Sequence, residues 1–314
     1  LFLPLALGVL LIASMASPRM VRRLALLVFA ASLMGLVATY AIGPEIKGAR
    51  RWLSLPGFGT VQPSEFVKPS LAVISAWLFA QKKLNPSFPG FLLSTVLFLV
   101  VVVLLVGQPD LGMTIVVAAV WAGQFFLAGL PIWIVGFGVI ASLGGMVAAY
   151  VALPHVQSRI DRFISPDAGD NYQVNTALEA FSNGGLFGRG PGEGTVKALL
   201  PDAHTDFVMA VAGEEFGLIA CLFVLALFIF VVLRSLSRSM KETSLFIMLA
   251  ASGLTIQFGL QAAINFASTV QLMPAKGMTL PFISYGGSSA IAVALAVGMM
   301  LALTRERAGL GEAT

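Results

Sequence analysis

Apolar residues run through this chain in long blocks, separated by short polar turns and one extended polar stretch. About 18 apolar residues suffice for a helix to cross the hydrocarbon of a bilayer. Nine stretches approach or exceed that length: 1–17, 24–43, 64–81, 91–107, 112–129, 132–153, 207–233, 244–264 and 285–304. The fourth and fifth are parted only by residues 107–111, and the fifth and sixth only by Leu130 and Pro131. The pattern predicts an all-α fold: a polytopic transmembrane helical bundle, one domain over 1–314, with a large loop at about 154–206. Inside that loop Val174, Leu178 and Phe181 recur at helical spacing among Asn171, Gln173, Asn175 and Glu179. Such a stretch predicts a short amphipathic helix on the bilayer surface. The glycine-rich turn from Gly184 to Gly192 is no nucleotide fingerprint, because Glu193 stands where a third glycine is needed and no strand precedes it. It reads as a flexible loop that admits a bulky substrate.

Composition agrees with the pattern. Hydrophobic residues make up 58% of the chain, charged residues 11%, and the mean hydropathy is +0.92, which excludes an ordinary soluble domain. The one cysteine, Cys221, falls within a span, so neither a disulfide framework nor thiol chemistry is expected. The chain begins at Leu1, already inside an apolar run and without a charged leader. We therefore expect no cleavable signal peptide, and expect that the natural N-terminus is missing.

Charge sets the orientation. Arg19, Arg22, Arg23, Lys82, Lys83, Arg234, Arg238, Lys241, Arg305 and Arg307 fall in one set of alternate loops, which is assigned to the cytoplasm. Loops 44–63, 154–206 and 265–284 then face outward. The other bases, Lys47, Arg50, Arg51, Lys68, Arg159, Arg162, Arg189, Lys197 and Lys276, lie at or near that outer face. Two readings stand for them: charge pairs with nearby acids, or a site for an anionic, phosphate-bearing ligand.

Ionisable groups at membrane depth are costly and tend to mark working sites, and three blocks carry them. Asp206 sits where the long loop enters an apolar helix. With a helix starting near Thr205 it is either a first-turn acid that suits the dipole or a carboxylate whose proton affinity is raised for general-base work. Glu214 would lie roughly 12 Å deeper, offset by about 80° around the helix, with Glu215 on the opposite side. Glu65 and Lys68 share a helical face behind a candidate N-cap, Ser64; they either brace the bundle or position a substrate group, and Asp110 in the next outward hairpin is placed to join them. Lys276, followed by Ser284 and Ser288 at the start of the last span, offers a helix N-terminus suited to an anion, or merely a capped and closely packed end. No H-E-x-x-H pair, G-x-S-x-G elbow or cysteine cluster is present, which speaks against catalytic zinc and a serine nucleophile elbow.

The ordered set of motifs from Gly48 to Leu53 (GARRWL), Gln62 to Glu65 (QPSE), Gln108 to Gly112 (QPDLG), His204 to Phe207 (HTDF) and Pro281 to Ser289 (PFISYGGSS) resembles the SEDS family of cell-wall proteins (shape, elongation, division and sporulation). Ala203 and the stretch 276–279 look like its division-type rather than its elongation-type members. The resemblance covers nearly the whole chain. It implies an inverting peptidoglycan glycosyltransferase that polymerises lipid II at the outer face of the bacterial cytoplasmic membrane, with Asp206 as the catalytic base. It also implies a polar cavity of Glu65, Lys68 and Asp110, and a role for Lys276. With Arg50, Arg51, His204, Glu214, Ser284 and Ser288 these make the candidate substrate-binding set. Family members usually have ten spans, so the first is expected to be absent here. A divalent cation (Mg or Mn) at the pyrophosphate is possible chemistry, although no D-x-D pair is present to hold one. The implied partners are a class B penicillin-binding protein acting as transpeptidase, other membrane proteins of the division complex and membrane lipids, with no nucleic acid. A lipid II flippase or transporter and a non-catalytic scaffold are the competing functions. Against the transporter, the chain shows no paired broken helices in corresponding halves.

Overall fold

The computed structural model describes residues 2–46, 48–55, 59–129, 172–273 and 277–305, together with 144, 145, 147, 150, 151, 157 and 161. Among these the chain forms α1 (Phe2–Ser14), α2 (Pro18–Ile42), β1 (Leu53–Leu55), β2 (Gly59–Val61), α3 (Pro63–Leu84), α4 (Gly90–Gly107), α5 (Leu111–Leu127), α6 (Tyr172–Gly184), α7 (Val208–Ser239), α8 (Leu245–Thr269) and α9 (Gly287–Thr304). The helices follow the apolar blocks closely. The predicted sixth span, 132–153, falls almost wholly outside the described residues. Five helices, α2, α4, α7, α8 and α9, are long and apolar enough to cross a membrane, and α1 and α5 are shorter apolar helices. The chain is a multi-pass membrane protein. One feature departs from the all-α expectation: β1 and β2 pair antiparallel, Leu53 opposite Val61. Three-residue strands carry too little periodicity to read from sequence.

Contacts gather the chain into two compact units, Leu1–Ala128 with Val231–Phe258 and Gly287–Thr314, and Gly129–Phe230 with Gly259–Gly286. In the first, α3 packs against α2, α4, α5 and α9, and between Pro63 and Ala80 almost every side chain is buried. Its charges therefore face protein instead of lipid, as polar groups at membrane depth must. Pro63 opens α3 at a position where its missing N–H costs nothing. Ser64, expected to cap the helix, lies one residue inside it with its hydroxyl buried and unpaired; Gln62 occupies the cap position without a side-chain bond. An aromatic group of Phe79, Phe91, Phe98, Trp121 and Phe125 joins α3, α4 and α5, with Phe98 stacked on Trp121 at 4.5 Å. Gln124 crosses this core, its amide nitrogen donating to the carbonyls of Ala72 (2.8 Å) and Leu249 (2.9 Å).

In the second unit, Ala177 and Ala180 of α6 pack with Val196, Leu200, Ala203, Phe207 and Ala210. Met209 and Cys221 form a further cluster with Ala262 and Leu280. α6 is the amphipathic helix expected from Leu178 and Phe181. α7 is two helical pieces meeting at Gly217, whose φ of 83° and ψ of 175° are non-helical.

Close packing of α1 on α9 rests on Gly298, where a Cβ would fall 2.7 Å from both the Cβ of Ala13 and the carbonyl oxygen of Leu10. A Cβ at Gly8 of α1 would meet open space. Helix propensity favours alanine at both sites, so the pair isolates the packing effect. Gly298→Ala is expected to cost about 1–3 kcal/mol by overpacking and lower the melting temperature of the detergent-purified protein. Gly8→Ala should hold or raise it.

Candidate functional site

The expected polar residues fall into two groups, one in each unit. In the first unit Lys68 Nζ lies 2.8 Å from Glu65 Oε2, with both side chains almost fully buried. A pair so enclosed stands only while both partners remain, because removing one strands a charge in a poorly solvating interior. Asp110 caps α5, its Oδ1 accepting from the Met113 N–H at 3.3 Å. Its Oδ2 accepts from Gln62 Nε2 at 3.4 Å and lies 3.9 Å from Arg51 Nε. Burial pushes the Asp110 carboxyl above its ordinary range, against the pull of the Arg51 guanidinium and the Met113 amide. Arg51 also donates to the carbonyls of Gln108 (3.1 Å) and Pro109 (2.5 Å), so it locks the turn that carries Asp110. Ser288 accepts from the Gln62 backbone N–H at 3.3 Å, tying α9 to the start of α3. Arg50 is exposed, 3.5 Å from Glu45.

In the second unit Asp206 does not begin a helix. α7 starts at Val208, and Asp206 closes a turn in which its N–H donates to the Asp202 carbonyl at 3.1 Å. The reason lies in the carbonyls. Those of His204, Thr205 and Asp206 accept from the Tyr285 N–H (2.8 Å), the Ser284 hydroxyl (2.5 Å) and the Asn265 amide (3.0 Å), not from amides further along α7. Three successive peptide units are thus immobilised, and Ala203 and Phe207 on either side are buried. Asn265 Nδ2 also donates to the Met278 carbonyl at 2.7 Å, strapping the turn to the 277–280 segment. Ser284 accepts from the Leu280 N–H at 2.8 Å. Gly277, at φ +62°, passes so close that a Cβ there would lie 3.3 Å from Asp206 Oδ2.

Ser284 thus bridges two backbone groups. His204 is exposed. Glu214, expected beside Asp206 in a cavity, is fully buried and turned to the loop instead. Its Oε1 accepts from the N–H groups of Thr195 (2.8 Å) and Val196 (2.9 Å) and from Asn183 Nδ2 (2.7 Å), and its Oε2 from the N–H of Lys197 (2.8 Å). A carboxylate can accept all four, and three loose loop amides supply what the helix cannot. Glu215 pairs with the side chain of Lys197, the residue whose N–H bonds Glu214. Lys276 lies outside the described residues. Asn265 was not anticipated from the sequence, although an asparagine within an apolar span is itself a signal of polar work. Among the described residues no group of three or more His, Cys, Asp or Glu side chains could hold a metal ion.

Apolar helices of spanning length, a buried Glu–Lys pair and an aspartate on a braced turn define a polytopic membrane protein with polar machinery built into its fold. Residues 1–309 match the family described as Cell cycle protein (FtsW/RodA/SpoVE), and the chain belongs to that family. It is 47% identical over 300 residues to "Probable peptidoglycan glycosyltransferase FtsW" of Caulobacter vibrioides, an alignment covering 95% of this chain and 76% of that protein. The protein of the same name from Trichlorobacter lovleyi is 38% identical over 276 residues, covering 86% of this chain and 72% of its own. Among solved structures, a chain from a peptidoglycan synthase complex that coordinates polymerization and crosslinking superposes with a TM-score of 0.79 at 29% identity, over 96% of this chain and 88% of that one. Thermus thermophilus RodA, a rod shape determining protein, superposes with a TM-score of 0.69 at 30% identity, over 98% and 87%.

Asn265→Leu removes both straps at similar volume. Amide exchange across 205–207 and 278–280 is expected to speed up, with a stability loss of about 1–3 kcal/mol; unaltered exchange would show that the straps do not hold the turn. Glu214→Ala strands the amides of Thr195, Val196 and Lys197, so limited proteolysis between 189 and 200 should accelerate well beyond the effect of Glu215→Ala.

Proposed function

We propose that this chain is a peptidoglycan glycosyltransferase that polymerises lipid II during cell division, with Asp206 as the general base. The braced turn carries the reading. A base must be held within hydrogen-bond reach of the proton it removes, and fixing the peptide units of residues 204–206 in advance supplies that geometry without further ordering when substrate binds. The names of the relatives supply the substrate class. In the reaction, Asp206 takes the proton of the acceptor sugar hydroxyl as that oxygen attacks the anomeric carbon of the donor. The bond to the prenyl pyrophosphate breaks with inversion, and the pyrophosphate leaves as an anion. Lys276, next in sequence to Gly277, is the cation this reading assigns to the departing charge.

On the same reading the site faces the exterior of the bacterial cytoplasmic membrane, the side opposite the Arg- and Lys-rich loops. The partner is a class B penicillin-binding protein that cross-links the new glycan. The solved complex that this chain resembles, in which polymerization and crosslinking are coordinated, supports that assignment.

Full-length protein co-purified with its transpeptidase should convert lipid II into glycan polymer. Asp206→Asn keeps the size and shape of the side chain while removing its basicity, and is expected to lower polymer formation at least a hundredfold, the lower bound of the general-base range of about 10²–10⁴, with melting temperature unchanged. Normal polymerisation by that variant would remove Asp206 from the reaction. Lipid II crossing reconstituted vesicles with no new glycosidic bond would identify a transporter instead.

A further inference from the structure

The break in α7 leaves backbone groups that a continuous helix would have satisfied internally, and the turn between α6 and α7 satisfies them. The N–H groups of Leu218 and Ile219 donate to the carbonyls of Gly185 (2.9 Å) and Leu186 (3.3 Å). In return the N–H groups of Arg189 and Gly190 donate to the carbonyls of Glu214 and Glu215, both at 2.9 Å. The fit depends on glycine on both sides. A Cβ at Gly217 would fall 2.4 Å from the Gly188 nitrogen and the Leu186 oxygen, and a Cβ at Gly188 would fall 2.2 Å from the Glu215 oxygen. The turn is wedged into the helix.

Its tip is apolar and open. Leu186 is 58% exposed and Phe187 81%, beside Phe216, Leu218 and Ile219, which are also exposed. No charge occurs between Gly184 and Gly188. Depth follows from α7 itself: from Phe216 to Leu233 the helix is uncharged for about 18 residues, or roughly 27 Å at 1.5 Å per residue, close to the hydrocarbon thickness of a bilayer. Gly217 therefore marks the hydrocarbon boundary on the loop side, and the wedged turn lies at that level. Arg189, exposed and held by Asn183 through its carbonyl (2.7 Å) and side-chain oxygen (2.5 Å), follows the tip directly. An aromatic and a cation side by side are the usual residues of a membrane interface.

We propose that the turn Gly184–Gly190 is a membrane-inserted plug, with Leu186 and Phe187 set among the acyl chains of the lipid leaflet on the loop side and Arg189 at the headgroups. Backbone can enter hydrocarbon only when its polar groups are paired within the protein; the four bonds to α7 pair the carbonyls of Gly185 and Leu186 and the N–H groups of Arg189 and Gly190, and the Gly188 N–H donates to the Gly184 carbonyl. The segment from Thr195 to Leu200 is held to the same stretch of α7 through Glu214. The level of the lipid surface is thus passed along the chain towards residues 201–206.

The test reads depth, independently of any activity. Full-length protein carrying Cys221→Ala would receive Phe187→Cys, Leu186→Cys or, as an aqueous reference, Glu193→Cys. Each would be spin-labelled and reconstituted alone in phosphatidylethanolamine–phosphatidylglycerol vesicles. At positions 187 and 186 the ratio of oxygen to nickel-complex accessibility should be several-fold higher than at 193. A ratio equal to that at 193 would place the tip in water, and shielding from both reagents would place it against protein; either result overturns the proposal. Leu186→Cys gives the same reading if Phe187→Cys fails to fold.

Discussion

An apolar chain inside a bilayer has no water to satisfy its polar groups, so every departure from regular helix has to be paired within the protein. Two such departures shape this structure. At Gly217 the helix opens and a glycine turn closes it again. At 201–206 the chain approaches α7 without joining it, and three carbonyls find donors from α8 and the segment after it. Glu214 extends the same rule to a side chain: its negative charge is balanced by inward-pointing amides and not by a cation. Removing any one of these donors leaves a buried acceptor exposed to the full cost of desolvation. The irregular elements are therefore as firmly specified as the helices.

Much of this was readable from the chain, and the rest was not for definite reasons. Among the described residues apolar length located the helices to within six residues at their ends, because length is what a bilayer demands. It says nothing of α3 as the buried axis of its unit: Glu65 and Lys68 make that helix look less like a span, and only its neighbours show that the pair is enclosed. The motif around Asp206 was plain, but its backbone was misread. An acid before an apolar run has the form of a helix start, and the donors that hold Asp206 out of the helix, Asn265 and Ser284, come from far along the chain. Helical geometry placed Glu214 and Glu215 on opposite sides, yet both carboxylates meet Lys197, Glu214 at its N–H and Glu215 at its side chain. Glu214, placed in the candidate substrate-binding set, is enclosed instead by loop amides of Thr195, Val196 and Lys197. Three-residue strands at 53–61 carried no usable pattern.

The two polar groups work by different means. Around Glu65, Lys68, Asp110 and Arg51, charges neutralise one another and fix the approach of helix ends; such a network loses its order when one member is lost. Around Asp206 the side chain is presented by hydrogen bonds to its backbone.

The same distinction explains why the aspartate stands on a turn and not one residue later in α7. Inside a helix its position would follow any tilt or rotation of the span. On a turn tied to Met278, Leu280 and Tyr285, it keeps its place relative to the segment from Gly277 to Tyr285, where a Cβ at Gly277 would lie 3.3 Å from its carboxylate. In the proposed polymerisation, where the product must move on after each addition, an aspartate with a constant position relative to its surroundings would present the same geometry to every new acceptor. The position of Asp206 is thus held by the segment after α8 and by Asn265 of α8 itself.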